Sequence, residues 1–262
     1  MIKYLIIGLI QGFIEWIPVS SSGVILVLLM LMKVSPVEAY ELSLLIHLGT
    51  LMSLIVALKG DFKLIFNQLI KFFKSGVLDY ELKILIVASI ATVITGLPSY
   101  LIFKYIVGGQ GIFQVKLLVG VLLFITAMAS LVLSSRSVSR RIVDEKCALL
   151  LGLLQGLSAI PGLSRSGLTI TGLLVLGVSS DLAFKWSYIA SAPPITGLTL
   201  VELLTGSVKI SIEFLLALFS AFISGLFSIK FMIEVSKRVE RFKLMIVVAF
   251  LIMVSALIDL IT

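Results

Sequence analysis

The sequence predicts an all-α integral membrane protein, one domain over residues 1–262, built from two halves of inverted topology. Three observations carry this. The 262-residue chain is 60% hydrophobic and 13% charged, with mean hydropathy +1.21, against about a quarter charged residues in soluble domains. Its apolar runs fall into two length classes. Shifted by 144 residues, so that Gly8 meets Gly152, the chain resembles itself.

The elements follow in order. A span needs about 20 apolar residues, whereas runs of about 10–14 suggest re-entrant or buried segments. The run from Ile2 to Trp16 is short and ends at Pro18, and Val24 to Met32 is shorter. Together they predict a helix pair that enters and leaves on one side. Lys3 before an apolar run mimics a secretory leader, but Gln11, Glu15 and Pro18 interrupt it. Spans follow at about 40–58, 82–104 and 114–133. A second short pair, 147–160 and 168–177, flanks Arg165, and three more spans fit 182–204, 211–235 and 240–261. This gives six spans and two re-entrant helix pairs. Pro193-Pro194 marks a break inside a span.

At the same shift Gly8, Leu9, Gln11 and Gly12 fall on Gly152, Leu153, Gln155 and Gly156. Ser20, Ser22 and Gly23 fall on Ser164, Ser166 and Gly167, and Ala39 and Ser43 on Ala183 and Ser187. The halves run over about 1–135 and 145–262. Glu15 falls on Ala159 and Ser21 on Arg165, so the scaffold is shared and the chemistry is not. Three spans per repeat invert the second copy, an arrangement that places a site near the bilayer midplane.

Loop charge sets the orientation. Lys59, Lys63, Lys71, Lys74, the stretch Arg136 to Lys146, and Lys237 to Lys243 gather on one side; Lys3, Lys33, Lys104, Lys116 and Lys209 lie on the other. The richer side is expected to be cytoplasmic, with both termini outside a multi-pass cell-membrane protein and Cys147 on the cytoplasmic side. The net charge of +7 is thus a topology signal and does not imply a nucleic-acid partner. One cysteine excludes an intramolecular disulfide. The expected surroundings are membrane lipids, and a homodimer stays open.

Two polar turns break the hydrocarbon. Pro161-Gly162-Leu163-Ser164-Arg165-Ser166-Gly167 carries a guanidinium. An arginine at that depth costs about 2.5–3.5 kcal/mol even on lenient scales. Small residues, hydroxyls and a helix N-terminus around it suit a phosphate, with Gly162, Ser164, Ser166 and Gly167 as contacts. The other turn runs Glu15-Trp16-Ile17-Pro18-Val19-Ser20-Ser21-Ser22-Gly23. Glu15 either pairs with Arg165 or binds Mg²⁺ or Ca²⁺, whose shell the phosphate oxygens of a substrate would complete. One of Ser20, Ser21 and Ser22 is expected to cap the following helix, and another to contact phosphate or attack it. His47, the single histidine, is either structural or functional. Gln11 and Gln155 are expected to bond between helices, with Gln11 also able to face the site.

At these turns the sequence resembles the undecaprenyl-diphosphate phosphatase family of the bacitracin-resistance type. Its first motif, Glu-Gly-x-x-Glu-Phe-x-Pro-Val-Ser-Ser-Thr-Gly-His, reads here Gln11-Gly12-Phe13-Ile14-Glu15-Trp16-Ile17-Pro18-Val19-Ser20-Ser21-Ser22-Gly23-Val24. Its second, Pro-Gly-x-Ser-Arg-Ser-Gly, is matched in full by Pro161 to Gly167, and its His/Gln-Leu-Gly element by His47-Leu48-Gly49. The resemblance covers the whole chain. It implies a membrane hydrolase that converts a polyprenyl diphosphate to the monophosphate and phosphate with a divalent cation, recycling a lipid carrier. In that reading Glu15 holds the metal or assists proton transfer, Ser21 contacts or attacks phosphate, and Arg165 clamps the diphosphate. Gln11 replaces the family's first glutamate and Val24 its histidine. These departures leave two alternatives: a polyprenyl-phosphate transporter or flippase, and a lipid-phosphate-binding homologue without catalysis.

Overall fold

The computed structural model describes residues 1–133, 142–205, 211–235 and 241–259. Thirteen α-helices make up the regular structure of these residues. The two short N-terminal helices are α1 (Ile2–Ile14) and α2 (Ser21–Leu31), joined by the Glu15 turn. Next come α3 (Pro36–Leu45) and α4 (His47–Ala57), which form one 22-residue apolar stretch broken at Ile46. Pro36 starts α3, where its missing N–H costs nothing, and the Ser35 hydroxyl accepts from the Glu38 N–H. α6 (Tyr80–Gly109) and α7 (Ile112–Leu133) are long enough to cross a bilayer and are separated only by Gln110 and Gly111.

The second half begins with α8 (Glu145–Leu157) and α9 (Arg165–Val175), which flank the Arg165 turn. α10 (Ser180–Ile189) and α11 (Ala192–Thr205) then divide the expected 182–204 span at Ala190 and Ser191. Pro193 and Pro194 fall in the first turn of α11, where helices tolerate them. α12 (Ile212–Val235) and α13 (Arg241–Ile258) complete the chain. Among the described residues four helical stretches, Pro36–Ala57, Tyr80–Gly109, Ile112–Leu133 and Ile212–Ile229, are long and apolar enough to span. The protein is a multi-pass helical membrane protein.

Small residues decide the packing. A Cβ on Gly8 would lie 2.1 Å from the Ala217 carbonyl oxygen, and one on Gly12 2.0 Å from Ser224 Oγ, so α1 lies directly on the backbone of α12. The matching glycines of α8 do the same on α6: a Cβ on Gly152 would lie 2.2 Å from the Ala88 oxygen, and one on Gly156 2.0 Å from Thr95 Oγ1. Two small residues four apart let apolar helices approach closely where water supplies no driving force. Hydroxyls tie the same contacts. Ser228 donates to the Phe13 carbonyl at 2.5 Å, and Thr95 to the Leu153 carbonyl at 2.9 Å. α7 and α13 pack on each other, with buried Lys116 paired to Asp259 at 2.8 Å.

Three expectations need correction. The basic connection after residue 58 is not a plain loop. It contains α5 (Lys59–Ser75), which ends at Gly76 in the left-handed conformation (φ 70°). Lysines share this helix with exposed Leu64, Phe66, Ile70 and Phe73, the composition of a helix lying at a membrane surface. The alternation of charge and apolar residues hid its 3.6-residue period from a search for long apolar runs. Lys116 is not a loop charge, because the Asp259 carboxylate draws it inside. Cys147 is fully buried, so its labelling cannot report the orientation of the chain. The basic positions within 134–141 and 236–240, and Lys209, lie outside the described residues.

Gly156→Leu is expected to lower the stability of the detergent-solubilised protein by about 1–3 kcal/mol through overpacking against Thr95 and Gly96. Gly60→Leu, where a Cβ meets nothing within 4 Å, is its control. Thermal unfolding followed by circular dichroism reads both.

Candidate active site

The two polar turns meet. Glu15 closes α1, Ser21 opens α2, Arg165 opens α9 and His47 opens α4 just past the Ile46 break. The turns contact through glycine: a Cβ on Gly23 would lie 3.0 Å from the Gly162 nitrogen, and Gly162 itself has φ +102°, which only glycine adopts freely. Ser20 adopts φ 58°, unusual for a residue with a side chain. Its hydroxyl accepts from the Gly162 N–H at 2.9 Å, binding one turn to the other. Ser20 therefore makes no side-chain cap for α2, contrary to the expected role of one of these serines as a cap. Ser164 does cap α9, accepting from the Gly167 N–H at 3.2 Å.

Each turn is also held by a tyrosine from the other half. Tyr188 donates to the Trp16 carbonyl at 2.9 Å, its ring edge-on to the indole with centroids 5.1 Å apart. Tyr40 donates to the Ala159 carbonyl at 3.0 Å.

Glu15 is the hub. One carboxylate oxygen, Oε1, accepts from the Arg165 guanidinium. The other, Oε2, accepts from Gln11 Nε2 at 2.8 Å and from the Ser21 hydroxyl at 2.5 Å, and lies 3.1 Å from His47 Nε2. His47 Nδ1 lies 2.6 Å from the Ser43 carbonyl. A carbonyl only accepts, so Nδ1 carries a proton and Nε2 is left facing Glu15 and, at 3.4 Å, the Ser21 hydroxyl. Arg165 also donates to the Ser187 carbonyl at 3.3 Å and lies 5.9 Å over the Trp16 ring. A charge so deep is tolerable because it is paired, stacked and hydrogen-bonded at once.

A cavity of about 370 Å³ opens onto this cluster. Glu15, Ser20, Ser21, Ser22, His47, Ser164, Arg165 and Ser166 all line it. Gly162 and Gly167 shape the turn from behind; a Cβ on Gly167 would press on Met245 and Ser164. Gln11 stays inside its own turn, while Gln155 bonds between helices, to Thr92 Oγ1 and the Ala190 carbonyl, both at 3.0 Å. The sequence reading missed Ser43, Thr169 and Ser187 as supports. Thr169 and Ser187 share a 2.7 Å hydrogen bond beside Arg165. The repeat already paired Ser43 with Ser187, and that pairing was the available signal. Val24, where the family motif has histidine, is half-buried against the core, and the imidazole at the cluster comes from His47.

Among the described residues no group of three or more His, Cys, Asp or Glu side chains gathers to hold a metal ion. The available donors are oxygens. Glu15, the Ser21 hydroxyl and the buried, unpartnered Gln11 Oε1 are of the type that hard divalent cations accept.

A family profile described as Bacitracin resistance protein BacA matches residues 4–257. The chain belongs to this family. Curated relatives agree over nearly full length. A protein of Methanothrix thermoacetophila named undecaprenyl-diphosphatase is 35% identical over 247 residues, covering 91% of this chain and 90% of its own. One of Korarchaeum cryptofilum with the same name is 36% identical over 245 residues, covering 89% and 90%. A bacterial relative of that name, from Carboxydothermus hydrogenoformans, is 32% identical over 249 residues, covering 89% and 88%.

Glu15→Gln and Arg165→Gln are each expected to destabilise the protein by about 3 kcal/mol, because each leaves the other's charge buried and unpaired. The double substitution should cost clearly less than the sum. A double-mutant cycle in thermal or denaturant unfolding measures the coupling.

Proposed function

We propose that this chain is an integral membrane hydrolase that cleaves a polyprenyl diphosphate of the undecaprenyl type to the monophosphate and inorganic phosphate, recycling a lipid carrier for envelope synthesis. The observation that carries this reading is the convergence of Glu15, Ser21, His47 and Arg165 on a largely apolar cavity in a BacA family member. Arg165 supplies the positive charge that the terminal phosphate needs, and the amide end of α9 adds to it. Ser21 supplies the attacking oxygen. Its proton leaves along its hydrogen bond to Glu15, with His47 Nε2 beside both oxygens, while the bond from phosphorus to the bridging oxygen breaks and polyprenyl monophosphate departs. Water then opens the serine phosphate and releases inorganic phosphate. Phosphoryl transfer asks chiefly for positioning and charge neutralisation, which a fixed guanidinium and a primed hydroxyl provide. A Mg²⁺ or Ca²⁺ carried on the diphosphate would find its protein donors in Glu15 and Gln11 and would neutralise phosphate charge. Gln11 and Val24 do not empty the site, because Glu15 keeps the central carboxylate and His47 brings the imidazole.

The same reading extends to topology. α1 with α2, and α8 with α9, would form re-entrant pairs whose turns meet inside the bilayer. The matching lengths of α1 and α8 (13 residues each), α2 and α9 (11 each) and α3 and α10 (10 each) support a duplication with inverted topology. Basic α5 would lie on the cytoplasmic face, with the mouth of the first pair and both termini outside.

Phosphate release from a polyprenyl diphosphate by the purified protein, with and without Mg²⁺ or Ca²⁺, tests the activity. Arg165→Ala and Glu15→Gln should each lower kcat/KM by about 10³-fold or more. Activity retained in both would sink the assignment. For topology, Ser75→Cys and Gln110→Cys are introduced separately in a Cys147→Ser background. An impermeant thiol reagent added to intact cells should label Gln110→Cys and spare Ser75→Cys; the reverse pattern would overturn the orientation.

A further inference from the structure

Helix α5 is built into the protein along one side. Ile65 is buried there, and Phe62, Leu69 and Phe72 pack against the core beside it. Gln68 donates to the Glu81 carboxylate at 2.7 Å and accepts from the Leu82 N–H at 3.0 Å. Two ion pairs hold the helix further, Asp61 with Lys185 at 2.6 Å and Lys71 with Asp79 at 2.9 Å. The opposite side is exposed. At about 100° per residue, Phe66, Ile70 and Phe73 share an arc of about 60°. They are 60%, 39% and 79% exposed. Lys63, Asn67 and Lys74, also exposed, occupy the adjoining arc of about 40°. With Asp61 already taken, Lys59, Lys63 and Lys74 have no ion-pair partner among the described residues. The outward face thus sets an apolar ridge beside an uncompensated positive edge.

The neighbours of α5 in sequence say what meets this face. The spanning stretch Pro36–Ala57 ends just before it, and the spanning stretch Tyr80–Gly109 begins just after its glycine stop. One span leaves the bilayer and the next enters it at the two ends of α5, so the helix lies along the membrane surface. We infer that α5 is a docking surface for anionic phospholipids: Phe66, Ile70 and Phe73 enter the boundary of the acyl chains, while Lys63 and Lys74, with Lys59 one turn before Lys63, receive the lipid phosphates beside them. A phospholipid satisfies both arcs at once, whereas free phosphate would meet the lysines alone. Charge selects the class of lipid. A choline headgroup brings its own positive charge to the lysine edge, and an anionic headgroup brings none. Lysine suits the position because its stem can lie along the apolar ridge while the ammonium reaches the headgroup. Asn67 adds an amide donor between the two lysines. The inference stands apart from the diphosphatase reading, since no residue of α5 lines the cavity at the two polar turns.

Two measurements test this. In the first, the purified full-length protein is equilibrated in detergent with dioleoyl phosphatidylglycerol or dioleoyl phosphatidylcholine, and bound lipid is counted by native mass spectrometry. Phosphatidylglycerol should bind in preference. Lys63→Gln together with Lys74→Gln should lower its affinity at least ~10-fold, at roughly fivefold per lysine, and leave phosphatidylcholine binding unchanged. Lys3→Gln together with Lys33→Gln removes the same charge from exposed positions elsewhere and should keep the preference. Equal binding of the two lipids by the wild type, or an equal loss in both double variants, would overturn the inference. In the second, Phe66→Cys in a Cys147→Ser background carries an environment-sensitive dye, and the protein is placed in phosphatidylglycerol nanodiscs whose acyl chains are brominated just below the headgroup. The bromines should quench the dye. A dye that stays wet and unquenched would leave the face to a soluble protein partner and overturn the docking of lipid.

Discussion

The contact between the Glu15 carboxylate and the Arg165 guanidinium constrains everything around it. Neither charge could remain in an apolar interior alone, since an isolated buried ion costs several kcal/mol. Each is the other's licence to be there. Their meeting fixes the ends of α1 and α9 to a common point although 150 residues separate them in sequence. The glycine pairs of α1 and α8, which let those helices lie directly on α12 and α6, bring the turns to that point. Burial then does chemical work. The low dielectric that makes the ions costly alone also strengthens the hydrogen bond that Glu15 accepts from the Ser21 hydroxyl.

The halves use matched backbone to orient unmatched chemistry. The Ser43 carbonyl holds His47 Nδ1, and the carbonyl of Ser187, its equivalent 144 residues later, holds Arg165. The tyrosines cross over in the same spirit, Tyr188 to the first turn and Tyr40 to the second. Each turn is thus completed by the half that does not contain it.

Most of this layout was legible in the sequence because apolar run length is a direct reading of bilayer thickness. The short pairs, the break just ahead of Pro193-Pro194 and the meeting of Glu15 with Arg165 follow from lengths, breakers and the cost of unpaired charge. What escaped was set by tertiary contact. Nothing local marks Ser20 as a bridge to Gly162 rather than a cap; that depends on a left-handed backbone which the opposing turn imposes. Glu41 and Glu202 hold Lys104 between them, at 3.0 and 3.4 Å, a contact that no local pattern marks. α5 was missed because an amphipathic helix has no long apolar run to find. The role of His47 was open in sequence, since a lone histidine acquires meaning only from its neighbours.

The crossed tyrosines also set a clock on biosynthesis. Trp16 and Tyr188 are 172 residues apart. At about 5–20 residues per second the first turn waits roughly ten to thirty seconds on the ribosome before its tie is made. For nearly all of that interval Glu15 has no guanidinium, because Arg165 has not been synthesised. The nascent first half therefore holds this carboxylate with its own Gln11, Ser21 and His47 alone. The site comes into being late, and as a whole, when the second polar turn arrives.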